Sequence, residues 1–352
     1  MPNDPLISVL LPLRNAMPFL PETMASLREQ SFRDFEIIAL DDGSTDDTPQ
    51  FLATVADPRL RIVRLNKVGL PTALNHGLEL ARAPIIARLD GDDVAHKDRF
   101  QLQYDYLEKH PECILLGCQC RHVDERGKEI EVGAYPTSDS AIRWEALFRS
   151  PVLHPGSMFL RDIVREVGGY RPEFAVAQDY DLWTRLLSRG VVANLPEFLL
   201  RYRVHAKSVG TLQKDGQIAN GSRIAGAYAA GLGAGMDART ISGLYLFLAT
   251  GRPPTDCTVG EIIQAFHQAS QVFIGRGHGD LAELKAGIRS QQDYLRWRMT
   301  AFAEQNWRRP WEAFSWLRYA ARVDPDRASW SSMLRRRWAR FLVRKQSSLS
   351  VR

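Results

Sequence analysis

The sequence predicts an α/β fold with a largely parallel sheet, extended at its carboxyl end by an all-helical region. Three observations carry this. Short β-rich runs occupy residues 7–11, 35–40, 61–65 and 85–89. Helical patterns of about ten residues separate them, and that alternation implies crossover units with parallel pairing. From about residue 215 strand patterns give way to helical periodicity.

The elements follow in order. Residues 7–11, Ile-Ser-Val-Leu-Leu, stop at Pro12. Helices are expected at 21–30, 46–55 and 70–81. The second opens with Ser44-Thr45-Asp46-Asp47, the Ser-x-x-acid spacing of an amino-terminal cap. Beyond residue 110 the pattern loosens. Strands are expected at 114–117, 129–132, 157–160 and 198–204, with helices at 139–148 and 179–187 and mixed pairing. Farther on, Trp307, Trp311, Phe314 and Leu317 share one helical face, as do Leu334, Trp338 and Phe341. Arg335, Arg336, Arg337 and Arg340 surround the latter. The chain therefore divides into 1–214 and 215–352.

Composition is that of a soluble globular protein, with 45% hydrophobic and 25% charged residues in 352. The four cysteines form no Cys-x-x-Cys pair and read as buried or free thiols in a reducing compartment. The first residues lack the positive region of a signal peptide. The expected location is cytoplasmic. Charge is uneven: residues 296–352 carry 14 Lys+Arg against 4 Asp+Glu, so a chain of net +5 has a body of −5. Such a tail is drawn to polyanions, an anionic membrane face among them, and no nucleic acid is expected. The other reading is a helix packed on the body with a solvated basic face.

Arg88-Leu89-Asp90-Gly91-Asp92-Asp93 directly follows the apolar run Pro84-Ile85-Ile86-Ala87. A buried strand thus carries three carboxylates to its carboxyl end. Like charges that close raise one another's pKa, and a hard divalent cation relieves them. Open α/β sheets bind ligands at such strand ends. Asp41-Asp42-Gly43-Ser44 closes the second strand in the same way. Gly43 permits a sharp turn, and a carboxylate there can accept from the imide N–H of a uracil. No glycine-rich strand-to-helix turn of a dehydrogenase or methyltransferase is present, and no P-loop pattern. A glycoside hydrolase would place two carboxylates without a metal, which fits the acid cluster less well.

Residues 7–12 with Asn15, then Asp41-Asp42-Gly43-Ser44, then Gly69, Ala73, Asn75 and Gly77, then Arg88-Leu89-Asp90-x-Asp92-Asp93 occur in order. Together they resemble glycosyltransferase family 2, whose nucleotide-sugar-binding fold is termed GT-A, over roughly residues 5–210. The resemblance implies a nucleotide site at Pro12, Asn15, Asp41, Asp42, Arg88 and Asp90, with Asp42 facing uracil. It places Mn²⁺ or Mg²⁺ on Asp92. Gln178-Asp179-Tyr180-Asp181-Leu182-Trp183 resembles the family's Glu-Asp-Tyr-Asp-Leu-Trp segment, although Gln178 replaces the glutamate. By that match Asp179 is the general base, with Gln178 and Trp183 near the acceptor. Arg201-Tyr202-Arg203-Val204-His205 resembles the family's Tyr-Arg-x-His segment. It implies Arg203 on phosphate and His205 on metal or phosphate; a purely structural His205 is the other reading. His154 to Ser157 either line the acceptor side or make a turn.

The implied activity is inverting transfer of a sugar from a nucleotide-diphosphate donor, UDP by expectation, to a glycan or lipid-linked acceptor in surface polysaccharide assembly. The alternative is a catalytically silent adaptor of the same fold. The joint presence of Asp90, Asp92 and Asp179 argues against it.

Overall fold

A computed structural model describes residues 4–206, 213–233, 235–276, 280–306 and 309–323, with 310–314 as backbone only. The strands are β1 (Ile7–Leu13), β2 (Phe35–Asp42), β3 (Leu60–Leu65), β4 (Ile85–Arg88), β5 (Val94–Ala95), β6 (Cys113–Val123), β7 (Glu129–Gly133), β8 (Met158–Leu160) and β9 (Val191–Arg203). They form one sheet in the order β3-β2-β1-β4-β8-β6-β9-β5, with β7 on β6. β3, β2, β1, β4, β6 and β9 run one way. β8, β5 and β7 run against them. The mixed, mostly parallel sheet of the sequence reading is therefore what the chain builds.

Seven helices accompany the strands: α1 (Leu20–Arg28), α2 (Thr48–Thr54), α3 (Leu70–Leu80), α4 (Arg99–Lys109), α5 (Asp139–Glu145), α6 (Arg161–Glu166) and α7 (Gln178–Leu186). Alternation along the central strands sorts side chains to two faces. Ile7, Val9 and Leu11 with Ile37 and Ala39 pack on α1 and α4 through Met24, Leu27 and Phe100. Leu10, Ile38 and Leu40 pack on α3 through Leu74 and Leu78. Gly77 lets α3 approach: a β-carbon there would lie 2.8 Å from Leu40 Cδ1 and 2.9 Å from Leu10 Cδ2.

Five more helices follow: α8 (Lys214–Leu232), α9 (Ala238–Thr250), α10 (Val259–Arg276), α11 (Leu281–Gln305) and α12 (Pro310–Val323). They share the second hydrophobic cluster, which runs unbroken from Leu10 to Val323. Trp144 of α5 is the joint. It is fully buried and meets Phe266 and Phe273 of α10 edge-on at 5.6 and 5.5 Å. Glu283 adds a polar clasp, accepting from the amides of Thr137 and Ser138 at 2.7 and 2.8 Å. Among the described residues no helix is long and apolar enough to cross a membrane.

Several local expectations are corrected. β9 begins at Val191, well before residue 198, because parallel pairing with β6 extends it. β5, α4 and α6 carried no signal read from the sequence. Ser44 does not cap α2: its hydroxyl accepts from the Asn15 amide, and Asp46 accepts from Thr48 N–H instead. Leu317 packs on the core as expected. The side chains of Trp307, Trp311 and Phe314, and all of Leu334 to Phe341, lie outside the described residues.

Trp144→Ala should lower the unfolding free energy by about 3–5 kcal/mol, the usual range for a buried tryptophan. Urea unfolding should stay one cooperative transition, since the cluster is continuous. Two separated transitions in the parent protein would contradict a shared core.

Candidate active site

The carboxyl ends of β1, β2 and β4 lie side by side because the three strands pair in parallel. Asn15, at φ 52°, turns the chain after β1. Its amide donates to Ser44 Oγ at 2.9 Å, and its Oδ1 accepts from Thr45 N–H at 2.8 Å. Ala16 N–H donates to Thr48 and Met17 N–H to Asp46. The β1 and β2 loops are thus clasped together. Pro12 is buried in β1 opposite Leu40. Asp41 accepts from Ser44 N–H at 3.0 Å. Asp42 accepts from Val68 N–H at 2.6 Å and Gly69 N–H at 2.9 Å, fixing the entry to α3. Each Asp42 oxygen keeps a further lone pair.

The acid cluster stands beside this clasp. One carboxylate oxygen from each of Asp90, Asp92 and Asp93 lies within 4.8 Å of the others. Gly91 makes the turn possible: a β-carbon would sit 2.4 Å from Leu13 Cδ2, so only glycine can lie against the end of β1. Arg88, buried beneath, contacts Asp90 at 2.5 Å. Asp92 Oδ2 lies 2.8 Å from His205 Nε2, so these two groups converge on one spot. Asp93 is fully buried; Oδ1 accepts from Arg203 N–H at 2.8 Å, whereas Oδ2 has no hydrogen-bond partner.

Burial pushes the Asp93 carboxyl well above the usual range, with the Asp92 and Asp90 charges adding to the rise. Burial also raises Asp90; Arg88 pulls it back and Asp92 pushes it up. Asp90 keeps 32% of its side chain open to solvent, which moderates that rise. Three carboxyls this close, one of them with a buried unpartnered oxygen, and an imidazole alongside suit a hard or borderline divalent cation. The residues present fit such an ion.

Asp179 occupies the first turn of α7, after Ala177 at φ 62°. Its Oδ2 accepts from Ser150 Oγ at 3.1 Å. A helix amino terminus favours the carboxylate form. Burial outweighs it, and the Asp179 pKa is raised despite hydrogen bonds from Tyr180 and Ser150. Its charge contributes to the rise at Asp90, so the two carboxyls belong to one electrostatic neighbourhood.

Two of the expected site residues, Arg203 and Trp183, are held inside the fold. Arg203 is only 2% exposed. Its guanidinium donates to the carbonyls of Asp92, Asp124 and Glu125 and pairs with Glu22, over the ring of Phe19. Every guanidinium nitrogen is engaged inside the fold, and these bonds hold β9 to the acid loop. Trp183 is fully buried, donating to Val152 O at 3.1 Å, and packs the core. Gln178 lies buried next to Asp179. His154 is buried with Nε2 2.9 Å from Tyr170 Oη, and Ser157 is fully buried, so this turn forms a floor.

Sequence reasoning missed Arg99, Glu22 and Ser150. Arg99 is fully buried and donates to the carbonyls of Arg88 and Ser157 at 2.8 and 3.1 Å. Burial lowers its pKa to about 10, with Asp93 partly restoring the charge. Arg99 opens α4, which nothing in the sequence marked.

The model of Glycosyl transferase family 2 matches residues 8–168. The amylovoran biosynthesis glycosyltransferase AmsE of Erwinia amylovora is 35% identical over 210 residues, covering 58% of this chain and 78% of AmsE. The O-antigen biosynthesis glycosyltransferase WbnJ of Escherichia coli is 32% identical, covering 58% of this chain and 81% of WbnJ. Among solved structures, residues 1–349 of S. aureus TarS in complex with UDP-GlcNAc superpose with TM-score 0.55 at 17% identity, covering 83% of this chain and 89% of that one. That likeness speaks to the fold, and this chain spans 55% of the longer TarS chain. The ordered strand-end motifs, the sheet they terminate and these relatives agree: the chain belongs to glycosyltransferase family 2 and is a glycosyltransferase of GT-A fold.

Proposed function

We propose that this protein is an inverting, metal-dependent glycosyltransferase. It moves a sugar from a UDP-sugar to a hydroxyl of a glycan or lipid-linked acceptor in surface polysaccharide assembly. One observation carries the reading: the Asp90, Asp92 and Asp93 carboxylates converge at the end of β4, with His205 against Asp92. The relatives AmsE and WbnJ, named for amylovoran and O-antigen biosynthesis, support the setting.

Residues 1–214 form the catalytic unit in this reading, and the helices beyond 215 brace it. The nucleotide lies across the ends of β1, β2 and β4. Asp42 offers its remaining lone pairs to the uracil imide, and the clasped loops at Asn15 and Ser44 hold that shelf rigid. Mn²⁺ or Mg²⁺ held by Asp92 and His205, with Asp90 and Asp93 beside them, would act as a Lewis acid towards the diphosphate. Arg88 fixes Asp90 from below. Asp179 accepts the proton of the acceptor hydroxyl at its carboxylate as that oxygen attacks the anomeric carbon. Ser150 orients the carboxylate for this. Attack from the face opposite the leaving diphosphate inverts the anomeric centre.

Asp179→Asn should reduce transfer by about 10²–10⁴-fold while UDP binding persists. Turnover near the parent rate would remove Asp179 as the base. The pH profile has a definite sign. Burial raises the Asp179 pKa, and the protonated acid cannot accept a proton, so kcat should fall on acidification through a midpoint above the ordinary carboxylate range. A profile flat down to about pH 4, where unperturbed Asp titrates, would contradict this. Saturating Mn²⁺, at about 100 times its Kd, should stabilise the parent by about 2.7 kcal/mol. In thermal melts Asp92→Ala should lose that gain, and an equal gain in the variant would exclude Asp92 as a ligand.

A further inference from the structure

An aromatic–basic patch on α11 takes no part in the chemistry above. Trp297 is 56% exposed and Tyr294 39%. Their rings stack with centroids 5.5 Å apart. The Arg298 guanidinium lies 5.3 and 5.4 Å from the two ring centroids and donates to Tyr294 Oη and to Ala249 O. Arg252, exposed in the turn after α9, follows Gly251, whose backbone lies against the Arg298 guanidinium. Among the described residues no ion pair engages Arg252 or Arg298.

Two further observations locate the patch. One turn earlier on α11, Gln291 reaches Glu145; Glu145 holds Arg149, and the next residue, Ser150, holds Asp179. The patch therefore lies on the helix whose Gln291 braces the segment before Ser150. Gln292 donates to Val323 O at 2.6 Å, so the chain leaves α12 at the same level. Residues 324–352 carry eight Lys+Arg and two Asp.

We propose that Tyr294, Trp297, Arg298 and Arg252 form the surface by which the protein docks on an anionic lipid bilayer. Tyrosine and tryptophan settle at headgroup depth, with an apolar body inward and a polar tip in water. Arginine pairs with lipid phosphates. Residues 1–295 sum to −5, so most of the body is repelled by such a surface and attraction is left to Arg252, Arg298 and the basic end. The inference rests on the lipid-linked acceptor reading: docking here puts the headgroup layer against the helix that braces the Asp179 segment.

The test is co-sedimentation of the full chain with vesicles of phosphatidylglycerol and phosphatidylcholine, and with pure phosphatidylcholine. Binding should need the anionic lipid and weaken with salt. Trp297→Ala should weaken it about tenfold, and Arg252→Ser about fivefold. Both should keep the parent Tm and the parent rate of UDP-sugar turnover. Parent-like partition of the Trp297→Ala/Arg252→Ser double variant would overturn the proposal. So would a Trp297→Ala variant that loses binding to a soluble polysaccharide yet pellets with anionic vesicles as before. Partition is read without substrate. Absent sugar transfer would therefore sink the functional reading and leave the vesicle result standing.

Discussion

Crowding of carboxylates at the end of β4 is the constraint around which the catalytic end is built. Two unit charges 4 Å apart interact by about 4 kcal/mol at an effective dielectric of 20. Asp90, Asp92 and Asp93 place oxygens within 4.8 Å of one another. The fold answers from below with two buried arginines, Arg88 and Arg99. Neither suffices: Asp93 stays well above the usual carboxylate range and keeps an unpartnered oxygen. A cluster left short of positive charge is poised to receive a cation.

The surrounding elements hold that cluster in place. Gly91 lets the acid turn sit against the end of β1. Arg203 fixes β9 to the same turn through Asp92 O, with Glu22 of α1 holding its far side. The β1–β2 clasp gives the neighbouring shelf a single shape. Ser150 orients Asp179, and the chain next to Ser150 is braced from the carboxyl-terminal helices through Gln291 and Glu145. The carboxyl-terminal helices thus reach the Asp179 segment by hydrogen bonds.

Much of this was legible in the sequence, for physical reasons. Short apolar runs ending in Asp-Asp-Gly or Asp-x-Asp-Asp mark strands that stop at polar work, because a buried strand tolerates acids only at its end. The parallel core followed from alternation with helices. What escaped depends on tertiary contact. The Arg99 that opens α4 looks like any surface arginine until burial shows otherwise. Each guanidinium nitrogen of Arg203 is engaged within the fold, which a Tyr-Arg-x-His pattern does not reveal. Trp183 has the residue type of a sugar platform but falls on the inward side of α7. Ser44 and Asp93 both have capping chemistry, yet long-range amides claimed them first.

The central claim is that the acid cluster is the donor half of a sugar-transfer site, dependent on a cation. Calorimetric titration of UDP into the parent protein, with Mn²⁺ and then with EDTA, tests it most directly. The account predicts saturable binding with Mn²⁺ that weakens by about tenfold or more once the metal is chelated, a difference of about 1.4 kcal/mol. Equal UDP affinity in the two conditions would contradict it.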